Sequence, residues 1–140
     1  MRMRPLTFNR NHYRAIREGY RSGLEDLVAK QLESASVPFE YEPKDKKIEY
    51  SKPTTKHKYT PDFVFKKFIV ETKGRFVTAD RKKHKLIKQQ HPDLDIRFIF
   101  SNSNTRISKT SKTTYAKWCE LNGFKYADKV IPDSWLKEIK

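Results

Sequence analysis

Apolar positions recur at helical spacing over residues 23–35, which predicts an amphipathic first helix. The positions on this stripe are Leu24, Leu27, Val28, Leu32 and Ala35. Ser22 stands just before the stripe, and Glu25 follows it at the spacing of a capping box. The first helix is therefore predicted to begin directly after Ser22.

Three further helices are predicted from similar patterns. Thr78 is placed as the cap of a helix that continues to about Gln90, with its basic residues mainly facing outward. Another helix is predicted from Tyr115 to Gly123, a residue type that commonly ends helices. Residues 131–140 are predicted to hold one short amphipathic helix.

The other apolar segments are short and have the alternating or continuously apolar character of strands. They cover residues 37–41, 59–65, 68–73 and 96–100. The second and third of these flank Lys66-Lys67 and predict a hairpin. Strands interspersed with helices predict a mixed α/β fold, in which helices cover a small sheet.

Three polar segments complete the chain. Residues 1–21 are arginine-rich without apolar periodicity and predict a flexible basic arm, so a single domain is expected over residues 22–140. Residues 44–58 are lysine-rich and predict a linker or an extended exposed arm. Residues 101–114 predict a loop rich in Ser, Thr and Asn.

Charge points to the class of partner. The 140 residues include 31 Lys and Arg against 17 Asp and Glu, a formal net charge of +14 at pH 7. Such a surface attracts polyanions, of which nucleic acid is the commonest inside cells. The basic residues are spread along the chain instead of lying on one amphipathic helix face, which disfavours a membrane surface as the partner.

Composition excludes several other classes. No apolar run approaches the roughly 20 residues that span a bilayer, and residues 1–20 lack the apolar stretch of a signal peptide. Cys119 is the single cysteine, which rules out a disulfide scaffold and a zinc finger. We expect a cytoplasmic protein with no membrane partner and no organic cofactor, in which oxygen-ligated metals remain an option.

Charged side chains interrupt the most apolar pair of strands. Glu71 and Lys73 are two positions apart in one strand and therefore share a face. A turn at residues 66–67 would bring Asp62, on the preceding strand, beside that face. Charges inside such apolar strands seldom lack a partner or a metal.

Two carboxylates and an amine at one place suit phosphodiester hydrolysis. Asp62, Glu71 and the carbonyl of Thr72 are suitable ligands for Mg²⁺, which neutralises the scissile phosphate and makes a bound water more acidic. Lys73 would orient that water or stabilise charge on the phosphate. The alternative is that Glu71 and Lys73 are solvated neighbours on an exposed strand and Asp62 is an ordinary turn residue.

Other polar residues have weaker assignments. Glu25 is explained about equally well as the capping-box glutamate and as a metal ligand. His84 and His91 are expected at the surface or on phosphate, because Mg²⁺ prefers oxygen ligands. The basic residues predicted to border a DNA channel are Arg75, Arg81, Lys82, Lys83, Lys85, Arg106 and Lys109.

The order of these residues resembles that of the PD-(D/E)XK nuclease superfamily. A helix carrying Glu25 comes first, then Pro61-Asp62, and then Glu71-Thr72-Lys73 on the next strand. Within this superfamily, the chain is similar to the phage endonuclease I family of Holliday-junction resolvases from about Tyr20 to the C terminus. The segments that carry this similarity are Arg21 to Asp26, Tyr59 to Phe63, Val70 to Gly74, Asp80 to His84, Gln90 to Pro92 and Leu94 to Arg97.

The resemblance implies a restriction-endonuclease-like mixed sheet flanked by helices and a Mg²⁺-dependent endonuclease for four-way junctions and other branched DNA. It implies one or two ions per site, with Mn²⁺ able to substitute, and action in the host cytoplasm. The implied catalytic residues are Glu25, Asp62, Glu71 and Lys73, and the implied metal ligands are Glu25, Asp62, Glu71 and Thr72.

The resemblance also implies an intertwined homodimer. The helix carrying Glu25 would be exchanged between chains through an extended bridge near residues 43–52, so that each active site combines two chains.

Two other functions stay open. The first is a nuclease of the same fold that serves restriction or mismatch repair; a restriction nuclease would cleave linear duplex at one sequence. The second is a basic architectural DNA-binding protein, which would cleave no substrate. Resolution instead predicts paired nicks at a junction.

Overall fold

The computed structural model describes residues 23–52 and 55–139, so the predicted basic arm and the capping Ser22 lie outside the described residues. The helices are α1 (Gly23–Ser34), α2 (Thr78–Gln90), α3 (Tyr115–Asn122) and α4 (Asp133–Ile139). The strands are β1 (Glu40–Tyr41), β2 (Ile48–Lys52), β3 (Thr55–Tyr59), β4 (Phe63–Val64), β5 (Ile69–Lys73), β6 (Ile96–Phe100) and β7 (Lys125–Asp128). Within these ranges, no helix combines the length and apolar character that crossing a membrane requires.

The central sheet is mixed, as predicted. Its five strands lie in the order β1-β4-β5-β6-β7. The β1–β4 and β4–β5 pairs are antiparallel, whereas β5, β6 and β7 run parallel. The predicted β4–β5 hairpin is confirmed, and its turn is closed by the backbone N–H of Phe65, which donates to the carbonyl of Phe68 at 2.9 Å.

Helices cover both faces of the sheet, which gives two hydrophobic cores. One core joins α1 and α4 to the sheet, and the other joins α2 and α3. Val70 belongs to the first core and Ile69 to the second. Side chains alternate between the two faces along a strand. The Thr72 side chain therefore points to the same face as Val70, whereas the side chains of Glu71 and Lys73 point to the α2 face, as Ile69 does.

The lysine-rich segment 44–58 differs from the predicted linker. After a short 3₁₀ helix, β2 and β3 pair as an antiparallel hairpin that packs against α2. Tyr50 and Tyr59 bury their rings in the α2 core, which supplies the apolar contact that the polar composition concealed. The side-chain amide of Gln90 also bonds both ways to the backbone of Ser51, at 2.6 and 2.7 Å. A bridge to a second chain near residues 43–52 stays a prediction.

Three further details differ from the predicted elements. The predicted strand 59–65 is interrupted between β3 and β4, where Pro61 has no N–H to donate to a ladder. Thr78 is the first residue of α2, and the preceding Val77 is its cap. The polar strand β7 was not predicted, because its place in the sheet comes from parallel pairing with β6 and not from an apolar pattern.

A buried arginine joins the sheet to the last helix. Arg97 on β6 is only 2% exposed. Its guanidinium donates to the carboxylate of Glu138 on α4 at 2.7 and 2.9 Å and to Asp95 at 2.7 Å. It also lies 3.9 Å from the ring centroid of Phe68 and 5.2 Å from that of Trp135. Arg97 therefore adds charged and stacking contacts to the apolar packing that holds α4 against the sheet.

Candidate active site

Asp62 lies buried in the break between β3 and β4, at one end of the sheet. Its Oδ2 accepts hydrogen bonds from the backbone N–H of Thr72 at 2.9 Å and from the Thr72 hydroxyl at 3.1 Å. These bonds hold the Asp62 carboxylate against the end of β5. Two residues predicted as metal ligands are thus in direct contact.

Glu71 is buried beside them on β5. Its Oε2 accepts the backbone N–H of Asp62 at 2.7 Å, and its Oε1 lies 4.0 Å from Nε2 of His84 on α2. Burial raises the pKa of Glu71 well above its ordinary value, and the negative charge of Asp62 adds to the rise. A bound cation would remove this penalty, because it favours the ionised carboxylate.

Two amines face the α2 side of this site. Lys73 places its Nζ 3.6 Å from a carboxylate oxygen of Asp80. Lys83 is partly buried, with its Nζ 5.1 Å from the ring centroid of Tyr59. Burial lowers the pKa of Lys83, and the positive charge of Lys73 lowers it further. The site therefore combines buried acids with basic side chains at its edge.

A trio of carboxylates lies on the α1 side. Glu25, Glu42 and Asp62 each offer an oxygen within 4.8 Å of those of the other two. Glu25 is buried in the first turn of α1 and accepts a hydrogen bond from the hydroxyl of Tyr41. Oxygen donors so close together form a site suited to a hard divalent cation such as Mg²⁺. The donor set therefore fits a divalent metal, and Glu25 reaches Asp62 within a single chain.

Glu42 is the acidic residue that the sequence analysis did not select. Tyr41 pairs with Phe63 across β1 and β4, so the next position in register sets Glu42 opposite Asp62. The backbone N–H of Glu42 donates to the carbonyl of Asp62 at 2.9 Å. The alternation of acidic and apolar residues from Val37 to Glu42 was a visible signal, but the β1–β4 pairing was needed to interpret it.

His84 does not occupy the expected surface position. It is fully buried, and the rings of Tyr59, Phe98 and Phe124 meet its ring edge-on, with centroids at 5.3, 4.9 and 6.5 Å. Burial lowers the pKa of His84 well below its ordinary value, and the charges of Lys73 and Lys83 lower it further. The imidazole is therefore neutral near pH 7.

The structure brings most of the predicted site residues together. Asp62, Glu71 and Thr72 are joined by hydrogen bonds, and Lys73 shares the face of Glu71. The trio joins Glu25 to Asp62 but does not include Glu71, which turns toward α2. The roles of these residues in metal binding and catalysis stay predictions.

The predicted DNA-contacting residues fall into two groups. Arg81 bonds within the fold, to the Phe76 carbonyl at 2.5 Å and to the Thr78 hydroxyl at 3.0 Å, and Lys83 is partly buried. The exposed members are Arg75, Lys82, Lys85, Arg106 and Lys109. The loop that carries the last two begins at Ser101, whose N–H donates to the carbonyl of Lys73 at 3.4 Å. This basic loop therefore starts beside the candidate site.

Comparison of the sequence with known proteins identifies relatives of this chain. A family model described as phage endonuclease I matches residues 7–140. Endonuclease I of Escherichia phage T7 is 54% identical over 122 residues, which cover 86% of this chain and 80% of that protein. Endodeoxyribonuclease 1 of Enterobacteria phage T3 is 51% identical over 122 residues, which cover 86% of this chain and 79% of that protein.

The protein is therefore a DNA endonuclease, an enzyme that hydrolyses phosphodiester bonds inside a DNA strand. The buried acids and the lysine at the end of the sheet are consistent with this class. The chain belongs to the phage endonuclease I family.

Proposed function

We propose that this endonuclease depends on Mg²⁺ and resolves four-way junctions and other branched DNA in the cytoplasm of the host cell. The observation that carries the proposal is the carboxylate trio at the end of a mixed sheet, adjoining Glu71 and Lys73, in a chain of net charge +14. Membership of the phage endonuclease I family supports DNA as the substrate, and the motif resemblance described in the sequence analysis supports branched DNA as the preferred form.

The acidic residues would hold the metal. Asp62, Glu71 and the carbonyl of Thr72 would hold one ion, with Glu25 and Glu42 completing the site or holding a second. Bound Mg²⁺ supplies charge neutralisation at the scissile phosphate and a more acidic water, and Mn²⁺ would substitute for it. Glu71, whose ionisation burial opposes, would bind the cation as the ionised carboxylate.

Lys73 would assist the attack on phosphorus. Its ammonium lies on the same strand face as Glu71, from which it would orient the attacking water and stabilise negative charge on the phosphate. Water would attack phosphorus directly and the bond to the 3′-oxygen would break, so that the products carry 5′-phosphate and 3′-hydroxyl ends.

Branch selectivity would come from DNA shape. The exposed basic residues on α2 and in the segments that follow β5 and β6 would offer phosphate contacts, which position a duplex without reading its sequence. A junction-resolving enzyme must accept many sequences, so contacts of this kind suit it.

Cleavage of a synthetic four-way junction tests this proposal against its alternatives. We expect paired nicks near the branch point with Mg²⁺ or Mn²⁺, none with excess chelator, and little cleavage of the linear duplex arms. Products are resolved on denaturing gels. Cleavage of linear duplex at one sequence would support a restriction function instead, and binding without any cleavage would support an architectural protein.

We further propose that the enzyme is a homodimer that exchanges the helix carrying Glu25, so that Glu25 of one protomer takes the position beside Asp62 of its partner that it takes beside Asp62 of its own chain in the single chain. Co-expressed chains with Glu25→Ala and Asp62→Ala are expected to regain nicking, because an exchanged mixed dimer holds one intact site and one doubly damaged site. Junction nicking by the purified mixed dimer measures this, with each variant alone as an inactive control. A mixed dimer as inactive as its parents would show that Glu25 and Asp62 act within one chain.

A further inference from the structure

The nitrogen atoms of His84 are not explained by the packing of its ring. The ring is enclosed by Tyr59, Phe98 and Phe124, a set of neighbours that a phenylalanine would satisfy equally well. Neither ring nitrogen has a hydrogen-bond partner among the described residues, although both are buried. A buried polar group without a partner is costly, so its presence calls for a specific use.

The carboxyl group of Glu71 lies next to the His84 ring. Nε2 of His84 lies 4.0 Å from Oε1, while the other oxygen, Oε2, accepts the N–H of Asp62. A separation of 4.0 Å is longer than a hydrogen bond but too short to hold a bridging water in ordinary geometry. A movement of about 1 Å would bring the two atoms into hydrogen-bond contact.

We propose that His84 is a positioning residue that donates its Nε2–H to Oε1 of Glu71 when the carboxylate binds metal. The inference rests on the proposed role of Glu71 as a ligand. The hydrogen bond orients the carboxylate toward the cation from the α2 side, while Thr72 holds Asp62 from β5. Carboxylates that ligate metals are ordinarily held by such partners, and the aromatic walls around His84 keep its ring in place.

Mn²⁺ binding to the full chain without DNA tests this role directly. His84→Phe fills the same space without a donor and is expected to weaken Mn²⁺ affinity about 10- to 100-fold by titration calorimetry. His84→Gln restores an N–H near the position of Nε2 and is expected to recover most of the affinity. With the Phe variant, junction cleavage should fall at limiting Mg²⁺ and recover largely at saturating Mg²⁺.

Phe124→Leu is the matched control, because it loosens the same aromatic cluster and leaves the Nε2–H in place. It should lower the Tm without changing Mn²⁺ affinity. Equal loss of affinity in Phe124→Leu and His84→Phe, or wild-type affinity in His84→Phe, would overturn the role of His84. If His84→Phe does not fold, His84→Leu replaces it.

Glu71→Gln separates this inference from the proposed function. If Glu71→Gln loses Mn²⁺ affinity while His84→Phe keeps it, only the role of His84 is wrong. If Glu71→Gln binds Mn²⁺ as tightly as the wild type, Glu71 is not a ligand, and both proposals are wrong on this point.

Discussion

Glu71→Gln is expected to reduce junction cleavage by on the order of 10³-fold while leaving junction binding nearly intact. The amide matches the carboxyl in shape but carries no negative charge. It therefore cannot attract a divalent cation or balance the cation's charge while water attacks the phosphate. Rates under single-turnover conditions and affinities in chelator measure the two effects separately. Cleavage close to the wild-type rate would show that Glu71 is not part of the catalytic machinery.

The same substitution should stabilise the protein when no metal is bound. The pKa of Glu71 is raised in the folded state, so the folded protein holds the Glu71 proton more tightly than the unfolded chain does. The stability that comes from the protonated Glu71 is present below the ordinary pKa of 4.5 and is lost as pH rises toward the raised pKa. Glutamine does not ionise and avoids this loss, so the Tm of Glu71→Gln in chelator should exceed that of the wild type increasingly above pH 4.5.

Glu49→Gln is the matched control for both measurements. Glu49 is exposed on the β2–β3 hairpin, where its carboxylate lies 3.5 Å from Lys58. The substitution should leave cleavage and the pH dependence of Tm unchanged. A stability difference in Glu71→Gln that did not grow with pH would contradict the electrostatic explanation.

Arg97→Ala is expected to lower the free energy of unfolding by about 2–3 kcal/mol. The alanine removes the stacking on Phe68 and Trp135 and empties the space that the buried side chain fills. Its partners Asp95 and Glu138 are both more than a third exposed, so water solvates them after the change, and the loss stays below that of a fully buried ion pair. Urea denaturation of both proteins measures the difference.

Arg75→Ala provides the comparison for Arg97→Ala, because Arg75 is exposed and close to the end of the same sheet. Its free energy of unfolding should change by less than about 0.5 kcal/mol. A similarly small change in Arg97→Ala would show that the contacts between β6 and α4 contribute little to stability.

Much of the fold was predictable because local patterns and the final packing agree. The stripe over residues 23–35 forms α1, the segment from Tyr115 to Gly123 forms α3, and the turn at Lys66-Lys67 joins β4 to β5. Gly123 ends α3 with a φ of 77°, a left-handed conformation that glycine adopts without steric cost. In these places the residues that determine the element lie within it or beside it.

Prediction failed where an element depends on a partner far away in the sequence. The β2–β3 hairpin is polar along most of its length and is fixed by two tyrosines and by Gln90 of α2, 39 positions after Ser51. Strand β7 likewise depends on β6 for its pairing. Such contacts leave no period in the local sequence, because the apolar surface is supplied by another element.

The sequence by itself determined the class of the molecule: a basic chain, a mixed α/β fold, and an acid–acid–lysine pattern, with Asp62 just before β4 and Glu71 and Lys73 on β5, that marks its family. Residue types and their spacing encode these features directly. Only the tertiary structure decided that Glu42 stands opposite Asp62 and that His84 lies buried against Glu71. Both contacts arise from strand register and helix packing, which set distances between side chains that no local spacing specifies.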